Sequence, residues 1–445
     1  MRSPTPFRNA AVALLLAAAG CSTGPSAGPE TPRDPAGMAA SEAPSRSSAA
    51  TTKTLAMAPS PGNAPVDREI ALLQQGLDKG GPSVERYGML GRAWIRKARE
   101  AADPGFYLNA KAAADLALEL APSSPLALNL VAMVHLSDHR FVEARDVAEQ
   151  ILAKLPDDLM ALGTLSDAHL ELGDIEAAER AAERMIDLKP NLPSYSRASY
   201  LAWLRGDDAR ALEAARLAID SGRDGRDPEP GAWAVVQAAN LWWHKGDLGG
   251  ADAGYDMALA RLHEYAPALV GKGRVALARG DGKRAVEYLE RAYAQSPLVE
   301  TAWLLGAARA ASGDAAGADA AYALVVKDGR RTDGRTLAQF YAAKGRDADE
   351  ALRLAEAEMK VRPGVHTLDA YAWALYRGGR FADARAASDK ARAPGVHEAA
   401  LLYHAGAIRI AQGEEKAGAE LVKKALEQSP HFDAAGAAEA RKLVE

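Results

Sequence analysis

The sequence predicts an all-α solenoid of about ten helix–turn–helix units, and three observations predict it. One pattern is written twice in succession, as LALNLVAMVHLSDHRFVEARDVAEQILAKLP and then ALGTLSDAHLELGDIEAAERAAERMIDLKP, and Pro122, Pro156 and Pro190 stand 34 residues apart. Glycines form a second ruler: Gly173, Gly206, Gly246, Gly280, Gly313, Gly345, Gly379 and Gly413 recur every 32 to 34 residues, with one interval of 40. Composition agrees, since hydrophobic residues reach 48% while aromatics are only 6%, and alanine, the best helix former, makes up much of the difference.

Each glycine joins two runs of helix-forming residues, and an alanine follows five or six positions later: Ala178, Ala211, Ala251, Ala285, Ala318, Ala351 and Ala384. This arrangement resembles the tetratricopeptide repeat, a 34-residue helix–turn–helix unit. The resemblance puts the alanines at the twentieth position, where two helix axes cross and a larger side chain would overpack at a cost of about 1–3 kcal/mol. It puts proline at the thirty-second position, where it stops the second helix. One such unit cannot bury its apolar face, so units stack on their neighbours, which the resemblance implies as a right-handed superhelix.

At the N-terminus, Arg2 and Arg8 precede an apolar run from Ala10 to Ala19 that is too short to span a bilayer and has the form of a signal peptide over 1–20. Cys21 is the only cysteine, and LAAAGCS around it resembles the lipobox of bacterial lipoproteins, with Ala18 where leucine is usual. The resemblance implies acylation of Cys21 as the mature first residue, anchoring the protein to a membrane. Ser22 in the following position implies, by the same analogy, the outer membrane facing the periplasm. Residues 21–65 are rich in Pro, Ser, Ala, Thr and Gly and read as a disordered tether. A leading helix follows over 66–81.

Repeats then fill 82–432. The first is irregular: Tyr87, Leu90, Gly91 and Trp94 match the W-x2-L-G-x2-Y spacing with the aromatics exchanged, and ADPGF lengthens its turn. Further copies fall near 125–158, 159–191, 192–225, 232–265, 266–298, 299–330, 331–364, 365–398 and 399–432. The polar SGRDGRDPEPG makes the 40-residue interval and reads as a loop, and HFDAAGAAEARKLVE reads as a capping helix over 433–445.

No constellation of catalytic residues stands out, and no metal or cofactor site is expected. VGKGRVA mimics a dinucleotide fingerprint, but it lies inside a first helix with no βαβ unit around it. His135 and His139 are spaced for one helix face, yet no third ligand or HExxH glutamate accompanies them. SGRDGRDPEPG lacks the acidic order of a calcium loop. A net charge of −5, or −7 once Arg2 and Arg8 leave with a signal peptide, argues against nucleic acid as a partner.

The tryptophans carry the functional reading. The resemblance implies a concave groove lined by positions 2, 5, 9, 12 and 13 of each first helix. Counting each turn glycine as position 15 places Trp203, Trp233, Trp243, Trp303 and Trp373 there, five of the seven tryptophans. Tyr200, Tyr376 and Tyr403 join them, and Asn240, Arg274, Arg335, Gln339 and Arg377 supply polar groups, while Trp242 falls on the core side. Aromatics on a solvent-facing groove act as binding anchors. The expected function is therefore a non-catalytic scaffold that takes an extended segment of a protein partner and assists assembly of an envelope, secretion, pilus or export complex. A glycan-binding module using the same tryptophans is the alternative, and an enzyme is a third class.

Overall fold

The computed structural model describes residues 46–101, 103–223 and 227–445. Among them are twenty-three α-helices and no strand, in two compact units that divide between Lys154 and Leu155. None of these helices is long and apolar enough to cross a membrane. Cys21, the signal peptide, residues 22–45 and the Asp224–Arg226 part of the polar loop lie outside the described residues.

The 46–154 unit contains α1 (Arg46–Ala56), α2 (Pro65–Gly80), α3 (Val84–Glu100), α4 (Phe106–Leu120), α5 (Pro125–Ser137) and α6 (Phe141–Leu152). Part of the expected tether is thus ordered: α1 lies on α4, and Ala56 is fully buried. The reason is a set of side chains that reach back to it. Trp94 Nε1 donates to Ala56 O at 3.0 Å, Asn109 donates to Leu55 O at 2.7 Å, and Lys97 pairs with Asp67 at 2.7 Å while donating to Pro61 O at 3.0 Å. His139 holds the turn with φ 57° and stacks on Phe141 at 5.6 Å.

The 155–445 unit is an array of helix pairs: α7 (Leu159–Glu171) with α8 (Ile175–Leu188), α9 (Leu192–Leu204) with α10 (Asp208–Ser221), and α11 (Pro228–His244) with α12 (Leu248–Arg261). It continues through α13 (Ala266–Ala278) with α14 (Gly282–Gln295), α15 (Val299–Ala311) with α16 (Ala315–Thr332), and α17 (Gly334–Lys344) with α18 (Ala348–Val361). The last pairs are α19 (Val365–Arg377) with α20 (Phe381–Arg392) and α21 (Ala399–Ala411) with α22 (Glu415–Gln428), closed by α23 (Ala434–Val444). The expected α-solenoid is the observed fold.

The turn chemistry is more specific than glycine alone. In five successive turns an aspartate follows the glycine and caps the second helix, as Asp207 does by accepting from Arg210 N at 3.0 Å and Asp281 from Arg284 N at 3.0 Å. The crossing alanines Ala178, Ala211, Ala251, Ala285 and Ala351 are fully buried. Gly271 and Gly273 serve packing as well: a Cβ on Gly271 would enter the Tyr255 ring, and one on Gly273 would lie 2.5 Å from Leu289 Cγ. The polar-loop expectation needs one correction. Pro228–Gly231 already form the first turn of α11, because Asp227 caps Glu229 N at 3.1 Å and proline is tolerated where no helical donor is needed.

An inner cavity as the candidate functional site

Within 155–445 the first helices α7, α9, α11, α13, α15, α17 and α19 each place at least one side chain on a common inner surface. Here the solenoid meets itself. The turn after α7 abuts the loop after α18, the turn after α9 abuts the loop after α20, and the turn after α11 abuts the loop after α22. A Cβ on Gly173 would stand 3.0 Å from Pro363 O, one on Gly206 would stand 2.5 Å from Gly395 O, and one on Gly246 would run into Gln428 O. Hydrogen bonds cross the same seam, from Gln428 Nε2 to His244 O at 3.0 Å and between Tyr200 Oη and His366 Nε2 at 3.1 Å.

The inner face is therefore curled round on itself and only partly open to solvent, where a long groove for an extended segment was expected. It is a cavity of about 590 Å³. Eight of the thirteen expected groove residues line it: Tyr200, Trp203, Asn240, Trp243, Arg274, Trp303, Arg335 and Gln339. Several are also fixed by neighbours. Trp203 lies 4.7 Å from the His244 ring and 6.0 Å from that of His366, Trp303 meets Phe340 edge-on at 5.7 Å, Asn240 accepts from Tyr255 Oη at 2.7 Å, and Arg274 is ion-paired with Glu300.

The other five do not reach the cavity. Trp373 is 4% exposed, stacked on Tyr376 at 4.7 Å and on His404 at 4.1 Å, and Tyr403 is 2% exposed with its hydroxyl on Glu439 at 2.9 Å. Arg377 donates to Ala342 O at 2.7 Å and reaches Glu439 at 3.9 Å. The C-terminal cap is the cause: α23 continues the stack against α21, and its Ala440 and Val444, with Phe432 just ahead of it, cover these side chains. Trp233 packs instead beside Leu192, Ala218 and Ala234. Trp242, expected in the core, is only half-buried, at the edge of the cluster around Val235 and Tyr255.

The cavity also holds polar and ionisable residues that the aromatic pattern passed over. Glu171, Ser196, His244, Glu300 and His366 occupy the same groove positions on the glycine ruler, so that ruler applied without regard to residue type finds them. Glu398 precedes its helix, and Phe432 and Arg441 belong to the cap, where no repeat register applies. Glu398 sits in the seam, 3.5 Å from His366 Nδ1 and 3.9 Å from His244 Nδ1. Burial pushes its carboxyl up to about 8 and holds the two imidazoles neutral, His244 down to about 3 and His366 down to about 4. No group of three or more His, Cys, Asp or Glu side chains placed to hold a metal ion occurs among the described residues.

The tetratricopeptide repeat family model matches residues 135–204. Among solved structures, PilW, described as a widely conserved type IV pilus biogenesis factor, is similar at 17% identity and a TM-score of 0.39, covering 45% of this chain and 90% of that one. Pseudomonas aeruginosa pilF is similar at 20% identity and a TM-score of 0.36, covering 50% and 94%. A human IFIT1 dimer with m7Gppp-AAAA is similar at 12% identity and a TM-score of 0.47, covering 81% and 86%. No curated protein sequence matches the chain.

Proposed function

We propose that this protein is a non-catalytic protein-interaction scaffold of a bacterial cell envelope, acylated at Cys21 and held at the outer membrane facing the periplasm. The lipobox-like LAAAGCS supports the anchor, and the Pro- and Ser-rich residues after it give the repeats reach from the membrane. One observation carries the scaffold reading: eight aromatic and polar side chains from five successive first helices, α9 to α17, converge on one inner surface. A cavity of about 590 Å³ lies in the range that encloses a compact ligand, so the partner presents a chain end there rather than a long threaded segment. The five residues that do not reach the cavity then make no contact with the partner.

A crosslinked pull-down from native membranes tests this, comparing wild type with Trp243→Ala/Trp303→Ala at equal helicity. A partner enriched by wild type and lost by the double variant supports the reading. Identical partners move the contact off the inner face, and no protein in either sample sinks the scaffold. Separately, Cys21→Ser is expected to shift the protein from the detergent phase to the aqueous phase, and an unchanged partition would sink the anchor.

A further inference from the structure

Two opposite charges face the cavity without a bonded partner. Glu171 on α7 and Arg335 on α17 both line it, and neither makes a hydrogen bond or ion pair with a described residue. They sense each other only through space, and burial raises the Glu171 carboxyl despite Arg335. One further polar atom of the lining is buried and unsatisfied: Ser196 Oγ, on a residue only 6% exposed. Buried polar groups left this way are costly, and unpaired ions more so. Nearby, Trp243 and Trp303 offer flat apolar walls.

We propose that the cavity binds a small zwitterion, an α-amino acid or dipeptide with an apolar side chain, with its carboxylate on Arg335, its ammonium on Glu171, and its side chain against the indoles of Trp243 and Trp303. A ligand of one sign leaves either Arg335 or Glu171 desolvated and uncompensated, and a neutral sugar leaves both; a zwitterion satisfies the two at once. A guanidinium suits a carboxylate because its planar donors match two oxygens. The aromatic walls favour an ammonium beside them as well as an apolar group. This inference goes beyond the scaffold reading and needs no protein partner.

The test is calorimetric titration of the purified full chain with L-phenylalanine, the dipeptide Phe-Gly, N-acetyl-phenylalanine and phenylalanine amide. Saturable binding of either zwitterion is expected, with each blocked analogue weaker by roughly ten- to a hundredfold, the loss of one hydrogen bond to a charged group. Arg335→Gln is expected to erase the penalty for the amide and keep that for the acetyl compound, and Glu171→Gln to do the reverse. These are ratios within one variant, so a general loss of folding does not mimic them. Binding of the free carboxylate irrespective of acetylation would overturn the proposal in favour of a partner's C-terminal end, and absence of saturable binding by all four would overturn it outright. Neither result touches the pull-down.

Discussion

Replacing Gly206 by alanine separates the seam from the turn that carries it, because Gly280 provides a matched control. Both glycines sit at the end of a first helix with φ near 75°, at 75° and 77°, and both precede a capping aspartate. Alanine at either site therefore meets the same left-handed backbone penalty of about 1–2 kcal/mol. The surroundings differ. A Cβ at Gly280 finds nothing within 4 Å, whereas one at Gly206 meets Gly395 O at 2.5 Å and His397 Cε1 at 2.9 Å. The carbonyl belongs to backbone, so the two turns of the solenoid must part by several tenths of an ångström, an overpacking cost of roughly 1–3 kcal/mol more. At about 2–4 °C per kcal/mol for a unit of this size, Gly206→Ala should melt roughly 2–12 °C below Gly280→Ala. Hydrogen exchange should quicken at 393–398 across the seam in the first variant and not in the second. Equal melting of the two variants, with 393–398 unchanged in both, would refute the contact across the seam.

Other perturbations test other parts of the structure. Arg197 and Asp167 form a bidentate pair at 2.9 and 2.7 Å, each 3% exposed, so Arg197→Met should destabilise by about 3–5 kcal/mol in urea titrations and Asp167→Leu added to it should recover much of that. A full recovery failure in the double variant would mean the packing, not the buried charge, sets the cost. Glu398 keeps a proton in the folded state up to about pH 8 that it loses near 4.5 when unfolded, so its contribution falls as pH rises from about 4.5 to 8. His244 and His366 are neutral when folded and take protons near 6.5 when unfolded, so their contribution is present above that pH and is lost as pH falls toward 4. Of these three groups only Glu398 contributes between pH 6.5 and 8, with a slope of at most about 1.4 kcal/mol per pH unit; Glu398→Gln should reduce that slope, and an unchanged slope would place the titration elsewhere. Finally, deleting 46–56 should lower the melting temperature of the protein by several degrees, roughly 1–3 kcal/mol for the Trp94 and Asn109 bonds and the buried Ala56, where a mere tether could be removed without effect.

The period, the turn glycines and the crossing alanines were legible because each answers to a local rule: a left-handed turn, a helix stop, a close helix crossing. The inner-facing register was legible for the same reason, and it placed Trp203, Trp243, Trp303 and Arg335 on the cavity wall. The rule failed at Trp373 and Tyr403 because position in a repeat says which way a side chain points, not what stands in front of it; there the cap supplies Phe432, Ala440 and Val444. Selecting for aromatic, amide and arginine residues also hid Glu171, Ser196 and His366, which share the register but lack the expected anchor chemistry. Helix α1 was missed on composition: RSSAATTKTLA carries few large apolar residues, and its order comes from Trp94 and Asn109 far along the chain.

Closure was invisible for a deeper reason. A solenoid is read as a one-dimensional stack in which each repeat contacts only its neighbours. The Tyr200–His366 bond joins residues 166 apart and the Gln428–His244 bond residues 184 apart, so within 155–445 repeats five or six units apart are in direct contact. That curvature accumulates from small rotations at every interface, none of which leaves a motif in any one repeat. Its consequence is thermodynamic as well as spatial. Unfolding α9 must release α19 and the 393–398 loop together, so this unit should unfold more cooperatively than a linear stack of the same helices. Gly206→Ala should broaden the transition as well as lower it, because it cuts the contacts that tie distant repeats into one unit.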